Sequence, residues 1–237
     1  MWKTYQVELQ FTTSFASSTP KNTKDIEAML GARMPNKPPE DAIPLDELAE
    51  QIKEEVEATE EVERGYATFK RDDDGLYYEA RCVRGHIKDC ANILQKLLAI
   101  KALKSKVANR VYVQPAKIRM IREGKVIQTP DGTFDTEVTP VGMPWLHTVP
   151  LGQINEPDGT ETRIVHAMTP KGPRSSLKAI DYVNFPLLKF RLKLLDDGVI
   201  GEDILLAIFE YGGEHGMGQE RSQDWGKYEL VKLEETQ

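Results

Sequence analysis

Two rhythms of apolar residues run through most of the chain. Near the start, TYQVELQF puts Tyr5, Val7, Leu9 and Phe11 on alternate positions, which predicts a strand with one buried face; Ser17 to Pro20 ends it. Asn22 or Thr23 can cap the free amides of a short helix carrying Asp25 and Glu27, with Gly31 as its stop. MPNKPPEDAIP, with four prolines in eleven residues, excludes regular structure. LDELAEQIKEEVEATEEV then aligns Leu45, Leu48, Ile52 and Val56 on one stripe of an acidic helix. ATFKRDDDGLYYEARCV reads as two strands turned at Asp74-Gly75. From His86 to Val107 the apolar positions Ile87, Ala91, Leu94, Leu98 and Leu103 keep helical spacing, and RVYVQPAKIRMI returns as a strand.

Residues 122 to 170 are rich in Gly, Pro, Asp and Thr, with turn signals at Asp131-Gly132 and Asp158-Gly159, and read as an irregular β insertion. LLKFRLKLL is a strand, EDILLAIFEYGG a helix whose glycines suit a stop, and WGKYELVKLE a last strand. Strand, long helix, strand, then strand, helix, strand is the order of a ferredoxin-like or RRM unit. The expected fold is therefore α+β, a ferredoxin-like/RRM core with an acidic helical insertion and an irregular β insertion. The expected domain is single, 1–237, with its core at about 1–20, 66–121 and 186–237, the acidic insertion at about 35–65 and the β-rich one at about 122–183.

A length of 237 residues suits one generous domain. No apolar run approaches the ~20 residues of a membrane-spanning helix, and MWKTYQVELQ lacks the order of a signal peptide, so the expected location is the cytoplasm. Cys82 and Cys90 are too few for a disulfide framework and lack a second pair at zinc spacing; no metal or cofactor is expected. The net charge of -7 hides a strong asymmetry. Residues 40 to 64 hold eleven acids against Lys53 and Arg64, a net of -9, which leaves +2 for the rest. Residues 81 to 125 hold twelve Lys or Arg against Asp89 and Glu123, a net of +10, so a basic face is expected there.

Three stretches carry a resemblance. YYEARCVRGHIKDCA (77–91) contains Arg84, Gly85, Ile87 and Lys88 where a basic residue and a glycine lead into a helix. HAMTPKGPRSSLKAIDYV (166–183) contains the run Thr169, Pro170, Gly172, Pro173, Arg174. EYGGEHGMGQERSQDWGKYELVKL (210–233) contains Gly213, Gly216, Gly218, Arg221, Ser222 and Gly226 between the last helix and the last strand. Together they resemble the RAMP superfamily, the RNA-binding proteins of CRISPR systems, especially phage-borne or prophage-borne uncharacterised members. The resemblance implies an RRM-like sheet, nucleic acid as ligand (RNA or single-stranded DNA), and head-to-tail copies or other phage or CRISPR-like subunits as partners, with no membrane.

Glycines let backbone amides approach a phosphate, and arginine supplies a fork of donors for its oxygens. The expected nucleic-acid contacts are Arg81, Arg84, Lys88, Lys171, Arg174, Lys178, Gly216, Gly218, Arg221 and Trp225, with Tyr112 as a further stacking candidate. The function expected first is a non-catalytic binder, single-stranded RNA favoured and DNA allowed. The alternatives are a protein-interaction or anti-defence decoy module on the same scaffold, and a metal-independent endoribonuclease using His215. No second residue at diagnostic spacing supports His215 in acid–base chemistry, and no phosphate-binding GK[ST] motif is present, so an enzyme is not the expectation.

Overall fold

The computed structural model describes residues 1–33, 43–62, 65–123, 127–129, 132–134, 152–169 and 172–236, with the backbone alone for 127–129, 132–134, 165–169 and 172–176. The proline-rich stretch MPNKPPEDA, Lys171 and His147 lie outside these residues. In chain order the elements are β1 (Trp2–Phe11), β2 (Ser14–Ala16), β3 (Thr19–Pro20), α1 (Thr23–Arg33), α2 (Leu45–Glu55), β4 (Ala67–Thr68), β5 (Lys70–Asp72) and β6 (Gly75–Glu79). Next come α3 (Ala80–Leu97), α4 (Leu103–Arg110), β7 (Val111–Gln114), β8 (Lys117–Arg122), β9 (Ile127–Thr129), β10 (Gly132–Phe134) and β11 (Gly152–Gln153). β12 (Gly159–Thr169), β13 (Gly172–Asn184), β14 (Leu187–Leu195), α5 (Glu202–His215) and β15 (Tyr228–Thr236) complete the chain.

The fold is mixed α+β. Its larger sheet runs β15-β1-β14-β8-β6-β5, with β7 beside β14, and every pairing in it is antiparallel. The first four strands of that order, with α3 between β1 and β7 and α5 between β14 and β15, are consistent with a ferredoxin-like core. The alternation in β1 and β14 decides which side the helices cover. Tyr5, Val7, Leu9 and Phe11 of β1 and Leu188, Phe190, Leu192 and Leu194 of β14 are buried in one cluster with Val83, Ile87, Ala91 and Leu94 of α3 and Leu205, Ile208 and Phe209 of α5. Burying each large side chain contributes roughly 1.5–3 kcal/mol, and this cluster is the main core. The in-between residues Thr4, Gln6, Lys189, Arg191 and Lys193 line the opposite face of the sheet.

Several local readings are corrected by the structure. The helix expected from His86 begins at Ala80, so Arg81–Val83 are helical; Ala80, Val83, Ile87, Cys90 and Leu94 are its buried stripe. It does not run unbroken to Val107. Ala99 and Ala102 take left-handed φ of 55°, and the break re-aims α4 so that Leu103 and Val107 reach the core. The five-residue gap between Leu98 and Leu103 is where helical spacing already failed. Gly31 lies inside α1, and α2 ends at Glu55 with Glu57 left-handed beyond it. Gly212 and Gly213 do not stop α5, which runs to His215. They are glycines because a Cβ at Gly212 would lie 2.2 Å from Tyr228 Oη, and one at Gly213 2.3 Å from the Tyr228 carbonyl oxygen. The Asp74-Gly75 turn forms as read, with Asp72 facing Gly75 across it.

A second sheet has the order β12-β13-β4-β3, with β2 also on β13. Its inner support is a buried carboxylate. Asp181, 4% exposed, accepts hydrogen bonds from Tyr66 Oη at 2.7 Å and from Thr68 Oγ1 and Thr160 Oγ1, each at 2.5 Å. Asp181→Ala leaves these hydroxyls without their acceptor and is expected to lower stability by about 2–4 kcal/mol in urea unfolding. A midpoint equal to wild type would show that the carboxylate does not hold the sheet.

Candidate nucleic-acid interface

The segment between α5 and β15 folds back on itself through glycine. Gly216, Gly218 and Gly226 have φ of 76°, 88° and 76°. A Cβ at Gly218 would stand 2.3 Å from the Ala16 carbonyl oxygen, and one at Gly226 1.9 Å from that of Met217. Backbone bonds lock the loop: Met217 N–H donates to Gly226 at 2.8 Å, Gln219 N–H to Ala16 at 3.0 Å and Gly226 N–H to Ser14 at 2.7 Å. The glycines thus serve a close approach to β2. Among the described residues the Gly218 amide donates to no backbone carbonyl, and Gly218 lines a shallow cleft of about 200 Å³ together with Tyr78, Cys82, His86, Asp89 and Arg221.

Arg221 stands at the mouth of that cleft. Its Nη1 lies 3.2 Å from Asp89 Oδ2 and 2.7 Å from His215 Nε2, and His215 Nε2 is 3.4 Å from the same carboxylate oxygen. The His215 ring stacks on Tyr211 at 5.5 Å and on His86 at 6.2 Å. Below it, His86 Nε2 and Tyr228 Oη are 2.9 Å apart. Burial, followed by the nearby charges of His215 and Arg221, lowers the His86 imidazole to about 3, so it stays neutral at physiological pH. For Asp89, burial pushes upward, but the hydrogen bond from Arg221 and the nearness of His215 outweigh it and leave the carboxyl below its ordinary range. Among the described residues no cluster of His, Cys, Asp and Glu is arranged to hold a metal ion.

The other expected contacts fall into separate groups. On the far side of the loop, left-handed Glu220 collects Lys178 at 2.8 Å and Arg163 at 3.2 Å, while Arg163 covers the Trp225 ring at 4.8 Å and Tyr182 meets its edge at 5.6 Å. Gly216 caps the end of α5. Arg174 has its backbone in β13 opposite Ala167. Arg81 is gripped by Glu79 through two hydrogen bonds of 2.9 and 2.6 Å. Arg84 donates to the Ala108 carbonyl and lies 4.7 Å over the Tyr112 ring, pinning α3 to the start of β7. Lys88 is half-buried and has no acidic partner among the described residues. The acidic helix is turned elsewhere: Glu55 pairs with Lys70 at 2.7 Å and Glu57 with Arg71 at 3.1 Å.

Of one further group the sequence reading named Tyr112 but missed Trp2, Arg191 and Lys193. Trp2, 54% exposed, meets Tyr112, 39% exposed, edge to face at 5.6 Å. Tyr112 faces Lys193 across the β7–β14 pairing, and Arg191 follows two residues earlier on the same open face. Both cations are exposed and have no acidic partner among the described residues. The signal was present in LLKFRLKLL, whose polar positions are all basic.

No family model and no curated protein matches the sequence. Among solved structures, it is similar to a chain in the cryo-EM structure of the Type III-B Cmr-β bound to cognate target RNA, with a TM-score of 0.43 and 10% sequence identity. The alignment covers 100% of this chain and 61% of that one, so the chain spans less than two thirds of that length. Among the described residues no helix is long and apolar enough to cross a membrane.

Proposed function

We propose that the protein is a non-catalytic nucleic-acid-binding module that holds single-stranded RNA, with single-stranded DNA as the second choice, in a phage or CRISPR-like system. The observation that carries this reading is the corner of the open sheet face where exposed Trp2 and Tyr112 stand beside Arg191 and Lys193. An aromatic platform next to unpaired cations is what sequence-tolerant single-strand binding requires: bases stack on Trp2 beside Tyr112, whose ring already carries Arg84, and the guanidinium and ammonium groups of Arg191 and Lys193 take the phosphates. The basic run of α3 and α4, with exposed Lys96, Lys101 and Lys104, adjoins β7 and extends the positive surface. Arg221 provides the phosphate contact of the glycine-rich loop, and Lys171, Arg174 and Lys178 are the further phosphate contacts that the sequence suggests, Lys178 by exchanging Glu220 for a phosphate. Other subunits of the same system, or further copies of this chain, are the partners that the RAMP resemblance suggests.

Photo-crosslinking with a single-stranded RNA carrying 4-thiouridine tests the placement. Crosslinked peptides containing Trp2 or Tyr112 are expected; efficient crosslinks confined to the α1–α2 side would overturn it.

A further inference from the structure

The contact between Arg221 and His215 admits one protonation state. Arginine donates and never accepts, so a guanidinium nitrogen 2.7 Å from His215 Nε2 requires that nitrogen to be bare, with the ring proton on Nδ1. In that state His215 and Asp89 are both acceptors, and Arg221 is the donor that bridges them. A proton on Nε2 reverses the arrangement. The imidazolium faces Asp89 Oδ2 at 3.4 Å as a charged donor, and it faces Arg221 as a like charge. Proton and guanidinium therefore compete for one position.

We propose that His215 and Asp89 form a clasp that holds Arg221 out of use, and that phosphate binding by Arg221 is coupled to uptake of a proton at His215 Nε2. The inference rests on the reading of Arg221 as a phosphate contact and adds how that contact is regulated. When a phosphate draws Arg221 toward the cleft, Asp89 loses its donor, and a protonated His215 replaces it. The coupling is reciprocal: a proton on His215 frees Arg221 for the ligand. The surroundings suit the exchange. From α3 the clasp is faced by Asp89 and by His86, which burial keeps neutral; from β15, Tyr228 is engaged with His86; within α5, Tyr211 stacks on the ring and Glu214 is exposed.

Two measurements decide it. Long-range proton–nitrogen NMR of the free, labelled protein at pH 8 should show His215 with its proton on Nδ1; the Nε2–H form would overturn the clasp. Binding of labelled oligouridylate, whose phosphates and bases keep their charge over this range, should be about tenfold tighter at pH 6 than at pH 8 at constant ionic strength. Calorimetry in two buffers of different ionisation enthalpy should show up to about one proton taken up per chain. His215→Gln should abolish both the slope and the uptake. Salt-sensitive binding without a pH slope, or a slope unchanged in His215→Gln, overturns the inference and leaves the binding function standing. No binding at pH 6 and low salt overturns both, and the NMR tautomer then reports whether the clasp itself exists.

Discussion

Trp2→Ala is expected to weaken single-stranded RNA binding by about tenfold to a hundredfold, the effect of removing one stacking partner worth about 1–3 kcal/mol. Because Trp2 is 54% exposed at the start of β1, the unfolding midpoint should barely move, which separates lost contact from lost fold. The paired change Arg191→Ala with Lys193→Ala removes two phosphate partners. It should reduce the salt dependence of log affinity by about 1.4, taking about 0.7 per phosphate on a single strand. If Trp2→Ala binds as well as wild type across salt, the open face is not the platform.

Gly226→Ala should have the largest effect on stability. The added Cβ would stand 1.9 Å from a backbone oxygen that cannot swing away, at a φ of 76° that L side chains rarely adopt. The Met217–Gly226 and Gly226–Ser14 bonds would then be broken together, and with them the support of the loop on β2. A loss of about 3 kcal/mol or more is expected, read as a fall of roughly 6–12 °C in the melting temperature. Gly85→Ala is the matched control: a Cβ there meets nothing within 4 Å, and its position inside α3 favours alanine. Equal melting temperatures for the two variants would mean that the loop is not held by the approach described.

Much of this architecture is legible in the chain because it follows from local spacing. The alternation of TYQVELQF and LLKFRLKLL gives both faces of the central strands, and the same alternation, read for polar residues, marks Arg191 and Lys193. Asn22 caps α1 through its side-chain oxygen, which accepts from Lys24 N–H at 3.0 Å, as its residue type suggests. The start of α3 was hidden because YYEARCV alternates like a strand and Glu79 makes no side-chain cap. Gly212 and Gly213 looked like a stop because their reason, Tyr228, lies more than a dozen residues downstream. The site is less legible than the fold for the same cause. Glycines and Arg221 stand together in the loop, but Asp89, 132 residues from Arg221, and Glu220's capture of Lys178 are set by tertiary packing alone.

The most direct test is fluorescence anisotropy of the purified chain with labelled single-stranded RNA, single-stranded DNA and duplex DNA between about 50 and 200 mM salt. The account predicts binding strongest to single-stranded RNA, weakening steeply and linearly in log salt, and reduced in Arg221→Ala. Absence of binding to all three ligands at the lowest salt would contradict it and would turn the exposed Trp2 corner into a surface for protein partners.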